Sequence, residues 1–261
     1  MELNLSGKTA LIAASSQGLG FAIAERLVKE GANVMISGRD EEKLKVKANE
    51  LELIGSGRVA YQKTDIINSE EINRLVAVTA ETFKGIDILV NNAGGPPAGS
   101  FEDLSDEEWV ASFELNLLSY VRLTRTALPY LKQKGGKILN IASSSIKEPI
   151  PGLILSNTFR TGIVGLSKTL ASELAPYNIL INTIAPGRIA TDRVKHLDQV
   201  NADKQGVERE AIELQMKAGI PLKRYGTPAE FANVAAFLLS DANTYMTGSA
   251  FLVDGGMIKA I

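Results

Sequence analysis

The sequence predicts a single α/β domain built on a doubly wound parallel sheet of seven strands with helices on both faces, and three observations carry that expectation. Apolar runs of strand length alternate along the chain with longer segments of helical period, the pattern of βαβ units feeding a parallel sheet. Punctuation falls at the joints: Asn68-Ser69-Glu70-Glu71 and Ser105-Asp106-Glu107-Glu108 place a cap residue and acids at helix starts, and Gly31, Gly55 and Gly85 sit just past helix ends. No internal repeat, low-complexity tract or inter-domain linker interrupts the 261 residues, so residues 1–261 read as one domain.

In order, strands are expected at Thr9 to Ala14, Asn33 to Ser37, Val59 to Gln62, Ile86 to Asn91, Gly136 to Ala142, Ile179 to Ile184 and Ser249 to Val253. Helical segments are expected at Gly18 to Glu30, Glu41 to Ile54, Ser69 to Phe83, Trp109 to Lys134 and Leu153 to Tyr177. The polar stretch from Asp192 to Lys217 (192–217) shows little pattern. It follows a strand end at the carboxyl edge of the sheet, a place suited to a substrate lid and equally to an ordinary surface excursion.

Composition narrows the function classes. Lys and Arg number 28 against 30 Asp and Glu, a formal charge of -2, so no excess of positive charge points to nucleic acid or anionic lipid. A small-molecule partner is expected. The absence of cysteine removes disulfides, thiolate nucleophiles and sulfur-ligated metals, and a lone histidine, His196, argues against a Ser-His-Asp triad or a His-rich centre; no metal site is expected. Met1 to Lys8 lacks the basic start and apolar run of a signal peptide, and no stretch reaches the ~18 apolar residues that span a bilayer. The expectation is a cytoplasmic protein.

Ser15-Ser16-Gln17-Gly18-Leu19-Gly20 leaves a buried strand and enters a helix. There Gly18 and Gly20 permit close backbone approach and the free N–H groups of the helix face an anion, as a phosphate-binding turn requires. At the end of the third strand, Asp65 and the backbone of Ile66 are suited to an adenine edge or, alternatively, Asp65 to a turn or cap. Asn91-Asn92-Ala93-Gly94 ends the fourth strand, where the amides are suited to tying neighbouring strands together and the small residues to leaving room for a ligand, with Asn91 expected at a ribose. Thr191, after Pro186-Gly187 and Ile189, is suited to a carboxamide or, alternatively, to capping the next helix.

With these motifs in order, the chain resembles the short-chain dehydrogenase/reductase family over essentially its whole length. The family's glycine-rich turn corresponds to Ala13 through Gly20, its Asn-Asn-Ala-Gly to residues 91–94, its Pro-Gly and following Thr to Pro186-Gly187 and Thr191. The resemblance implies a Rossmann-type fold, a nicotinamide cofactor and a homo-oligomer, dimer or tetramer. Leu117, Leu118, Val121, Leu166 and Leu170 are compatible with its interface or with the core. At the end of the second strand, NAD-dependent members carry an acid; Ser37-Gly38-Arg39 stands here instead, and a guanidinium beside a hydroxyl favours NADP(H) over NAD(H).

The resemblance also implies catalytic roles for Asn116 and Ser143, and here the pattern breaks. Ser156 and Arg160 stand where the family's Tyr-x-x-x-Lys pair is expected, marking a divergent member. An aliphatic hydroxyl is a far weaker acid than a phenol, so Ser156 does not replace the tyrosine; Arg160 keeps the positive charge and can hold ribose hydroxyls but does not relay protons. Three readings remain. Another group supplies the proton (Lys147, Glu148, His196, or water held by Ser143 and Ser156); the chain binds NADP(H) as a pseudoenzyme or sensor without turnover; or the substrate, such as an activated double bond, needs no strong acid. An oxidoreductase acting on a carbonyl or alcohol, such as a 3-oxoacyl-like group, leads. Ala14, where the turn's first glycine is expected, costs little at negative φ and about 1 kcal/mol or more at positive φ.

Overall fold

Two adjacent strands start the sheet, and their alternation sets everything above it. The structure, a computed structural model, describes residues 2–260. β1 (Thr9–Ile12) is enclosed along its whole length, and its odd and even residues enter different cores: Ala10 and Ile12 on one face, Leu11 on the other. β2 (Asn33–Gly38) repeats the division, with Val34 and Ile36 opposed to Met35. Such two-sided burial is what near-continuous apolar strands of parallel sheets require.

The remaining strands are β3 (Val59–Lys63), β4 (Ile88–Asn91), β5 (Gly136–Ile141), β6 (Ile179–Pro186) and β7 (Ala250–Val253). All pair in parallel, in the order β3-β2-β1-β4-β5-β6-β7. The order reverses between β1 and β4, which opens a crevice above their carboxyl ends. One face is covered by α1 (Gly18–Lys29), α2 (Glu41–Glu52) and α9 (Pro228–Leu239), through residues such as Leu27, Leu44 and Phe231. The other is covered by α3 (Ser69–Phe83), α5 (Ser119–Lys134) and α6 (Ile154–Leu174), through Leu75, Leu123 and Leu174. The sheet, its seven strands and both helical layers match the sequence expectation.

Two stretches differ in detail from what periodicity suggests. The helix expected over Trp109 to Lys134 is α4 (Asp106–Phe113) running through a π-helical turn, Glu114–Leu118, into α5. α4 starts at a complete capping box in which Ser105 and Glu108 exchange bonds with each other's backbone. The poorly patterned 192–217 stretch is helical: α7 (Asp192–Gln205) and α8 (Arg209–Gly219). α7 escapes notice because its hold on the protein is polar. Asp198, 1% exposed, pairs with Arg188 and accepts from the Tyr225 hydroxyl at 2.8 Å, a burial that only a charge partner makes tolerable. No helix among the described residues is long and apolar enough to cross a membrane.

Candidate active site

The turn between β1 and α1 is tied from beneath by groups the sequence marks as ligands. Ser15 and Ser37 are fully enclosed. The Ser15 hydroxyl donates to the Ile12 carbonyl at 2.8 Å and accepts from the Ser37 amide at 3.1 Å, while the Ser15 amide donates to the Ser37 carbonyl at 2.7 Å. The Ser37 hydroxyl lies 3.3 Å from both the Ile12 carbonyl and the Ala14 amide. Ser37 therefore braces the turn and does not face solvent as a phosphate ligand, because β2 turns this residue inward. Arg39, next but one along the strand end, is exposed and makes no ion pair among the described residues. Ser16 lies against Gly38, whose added Cβ would come 3.2 Å from the Ser16 hydroxyl.

Above this brace α1 begins without a side-chain cap and without an acid in its first turn, so its leading N–H groups are left for an outside acceptor. Gly18 has φ +61, and a Cβ on Gly20 would come 2.7 Å from the Asn92 side-chain nitrogen. Gly18 is called for by its left-handed backbone and Gly20 by the close approach of Asn92 and Ser15. Ala14 has φ +46, the strained alternative. These amides open into a cleft of about 520 Å³. The donor-rich, acid-free turn fits a dinucleotide diphosphate.

Along the same cleft stand Leu19, Ala93, Gly94, Ser143, Ser156 and Arg160. Its further wall is Pro186, Gly187, Ile189 and Thr191, the last also capping α7 with a 3.5 Å bond from the Val194 amide. Thr191 thus caps α7 and lines the cleft as well. Asp65 and Ile66 lie outside this cleft; the Asp65 carboxylate accepts from the Ile67 amide at 3.2 Å in a local turn, and Ile66 is buried.

Strand alternation redistributes the asparagines. The Asn91 side chain is enclosed beneath the crevice, donating to Thr124 at 3.0 Å and to Asn140 at 2.7 Å, so it ties β4 to β5 and α5. Its neighbour Asn92 points the other way, lines the cleft, and donates to the Ala13 and Ala14 carbonyls at 3.2 and 2.9 Å. The Asn91 side chain therefore does not reach the cleft where a ribose is expected, and Asn92 does; opposite facing of adjacent residues in a strand is the missing signal. Asn116, fully buried in the π-helical turn, donates to the Gly94 carbonyl at 2.7 Å, and its own carbonyl oxygen has no partner among the described residues. It therefore acts on the cleft through the backbone of its wall.

Arg160 is buried and held by neutral oxygens alone: the Tyr120 hydroxyl and the Ile141 carbonyl, each at 2.8 Å, and the Ala93 and Gly94 carbonyls at 3.3 and 3.5 Å. The phenol beside it is no substitute acid. Tyr120 is enclosed, donates to the Ile141 carbonyl, and burial pushes its pKa up against the opposing pull of Arg160. Lys147, Glu148 and His196 are exposed and outside the cleft wall. Ser143 and Ser156 are in it, on the end of β5 and on the first turn of α6.

A parallel sheet with a donor-lined turn at its switch point defines a dinucleotide-binding protein. Comparison with known proteins specifies which. A family model described as Enoyl-(Acyl carrier protein) reductase matches residues 13–258. The 3-oxoacyl-[acyl-carrier-protein] reductase FabG of Aquifex aeolicus (strain VF5) is 36% identical over 258 residues, covering 98% of this chain and all of that protein. D-beta-hydroxybutyrate dehydrogenase of Rhizobium meliloti (strain 1021) is 35% identical over 95% of this chain and 98% of that protein. The crystal structure of L-sorbose reductase from Gluconobacter frateurii, complexed with NADPH and L-sorbose, superposes with a TM-score of 0.95 at 34% identity, covering 100% of both chains. The chain belongs to the short-chain dehydrogenase/reductase family of NAD(P)-dependent oxidoreductases.

Proposed function

We propose that the protein is an NADP(H)-dependent oxidoreductase that interconverts a carbonyl and an alcohol without the family's tyrosine acid. The observation that carries the reading is one continuous cleft joining the uncapped start of α1 to Ser143, Ser156 and Arg160. When bound, NADPH supplies the hydride. The α1 amides and Gly18 hold its diphosphate, and Asn92, Ala93 and Gly94 border its ribose. Pro186, Gly187, Ile189 and Thr191 flank the nicotinamide end. Asp65 and Ile66 serve the adenine end, and Arg39 sets the preference for NADP, since an exposed, unpaired guanidinium at the end of β2 attracts a 2′-phosphate.

Ser156 and Arg160 occupy the tyrosine and lysine positions of the family. Arg160 supplies fixed positive charge beneath the Ala93–Gly94 wall, and Asn116 fixes the same wall from the other side. Ser143 hydrogen-bonds the substrate oxygen. The proton reaches that oxygen from water held by Ser143 and Ser156, because both hydroxyls line the cleft, the Thr191 hydroxyl there is engaged in capping α7, and the lysine, glutamate and histidine alternatives face solvent. Names of relatives, a 3-oxoacyl reductase, a hydroxybutyrate dehydrogenase and a sorbose reductase, agree in pairing C=O with CH–OH. Activity is expected from a homo-oligomer, with the 192–217 stretch covering the substrate.

The test mixes NADPH with ketones, aldehydes, 3-oxoacyl esters and enoyl thioesters, following absorbance loss, with cofactor affinity measured in parallel by calorimetry. Turnover of a ketone or aldehyde, lost on Ser143→Ala with NADPH affinity retained, is expected. Tight NADPH binding with no turnover across the panel replaces this reading with a cofactor-binding sensor, and turnover confined to enoyl thioesters replaces the carbonyl with an activated double bond.

A further inference from the structure

Two guanidinium groups enter the cleft from different elements: Arg160 from α6 and Arg193 from the first turn of α7. Neither forms an ion pair among the described residues. Arg193 donates to the Pro96 carbonyl at 2.7 Å and lies flat against Gly95, whose added Cβ would come 2.9 Å from the guanidinium nitrogens. That glycine leaves just enough room for the arginine, so its place is built and not a surface accident. The contrast is Arg188, a few residues earlier, which the fold pairs with the buried Asp198. For the half-buried Arg188 the chain supplies a carboxylate; at Arg160 and Arg193 it supplies neutral oxygens.

Burial disfavours the Arg193 charge, and the nearby charge of Arg160 disfavours it further. Arginine does not relieve this by deprotonating, so an anion from outside the chain is the remaining way to compensate the pair. The one carboxylate on the cleft wall, Asp192, is exposed and leans toward Lys195 at 3.8 Å. Leu153, Ile189, Val194 and Leu197 add apolar wall to a cleft whose other side chains, Asn92, Ser143, Ser156 and Thr191 among them, are neutral. Apolar walls around two like charges raise the value of a charge-assisted bond.

We infer that Arg193 binds an anionic group on the substrate, and that the substrate is a small oxo carboxylate or the corresponding hydroxy carboxylate. The diphosphate of the cofactor is the other possible anion, but the amides at the start of α1 already serve it. Arg193 lines the same cleft as Ser143 and Ser156, so the free charge and the reacting end share one enclosure. The inference rests on the carbonyl–alcohol reading above. In that reaction the ketone carbon gains a hydride and its oxygen a proton, the carboxylate is unchanged, and NADPH leaves as NADP+.

The experiment compares short 2-, 3- and 4-oxo carboxylates with their methyl esters as substrates, for the wild type, Arg193→Met and Arg193→Lys. One charge-assisted bond predicts kcat/KM at least tenfold higher for acid than ester in the wild type. Arg193→Met should collapse that ratio toward one by raising KM for the acid, and Arg193→Lys should restore part of it. The same acids are titrated calorimetrically into protein saturated with NADP+, so the inference is decided even without turnover: loss of acid binding in Arg193→Met supports it. Failure of every carbonyl in the panel refutes the carbonyl reading alone. Equal or better use of the ester by the wild type, or a rise in NADPH Kd in Arg193→Met that accounts for the whole loss, overturns the inference.

Discussion

Replacing Ala14 with glycine should stabilise this protein, against the usual direction of such a change. Ala14 sits at φ +46 and both its polar groups are tied, the amide to Ser37 at 3.3 Å and the carbonyl to Asn92 at 2.9 Å, so the surroundings hold the residue there. A Cβ in left-handed backbone costs about 1–2 kcal/mol. Glycine removes that cost but gains unfolded-chain freedom worth about 0.4–1 kcal/mol. The difference leaves Ala14→Gly more stable by about 0.5–1 kcal/mol, a rise of about 2 °C in Tm for a domain of this size. Urea unfolding with an unchanged m-value and a thermal melt read it directly. A β-branched side chain is worse in this region, so Ala14→Val should fall below the wild type. An Ala14→Gly variant no more stable than the wild type, or an Ala14→Val variant equal to it, would refute the claim that the turn stores strain.

Arg39→Asp should reverse the cofactor preference, weakening NADPH binding at least tenfold and strengthening NADH; equal affinities of the wild type for both cofactors would remove the basis of the claim. The double variant Ser156→Tyr with Arg160→Lys restores the family pair, and a positioned acid contributes about 10²–10⁴-fold, so turnover should rise at least tenfold and acquire a pH limb that the wild type lacks. Partial burial and the bond to Asp198 push the Tyr225 pKa up to about 12. Since the folded value exceeds the ordinary 10, this stabilisation is complete below pH 10 and is lost as pH rises toward 12. Tyr225→Phe should flatten that part of the stability profile, with an effect held to about 1 kcal/mol by solvent screening. The Arg224 guanidinium and the Thr227 backbone draw the exposed Glu230 carboxyl down to about 2, so its contribution is present above pH 4.5 and lost as pH falls through 2. An NMR titration should show the midpoint rising in Arg224→Ala.

The sequence by itself determined the sheet and the alternation of its strands with helices as far as α6, and it marked the turn between β1 and α1 as the candidate anion site. Apolar alternation and helical period are local properties of the chain, and a buried parallel sheet leaves its strands no other reading. It also raised the expectation that Ser156 and Arg160 stand at the family's tyrosine and lysine positions, because identity at a position needs no coordinates. What tertiary structure decided was facing and partnership. Ser37 turned out to brace the turn from below and Asn92, not Asn91, to line the cleft, since a shift of one residue along a strand reverses the side of the sheet. α7 is folded by the pairing of Asp198 with Arg188 and Tyr225, contacts with no local signature. The left-handed backbone at Ala14 and the convergence of Arg160 with Arg193 likewise depend on groups distant in the chain, whose meeting only the closed fold creates.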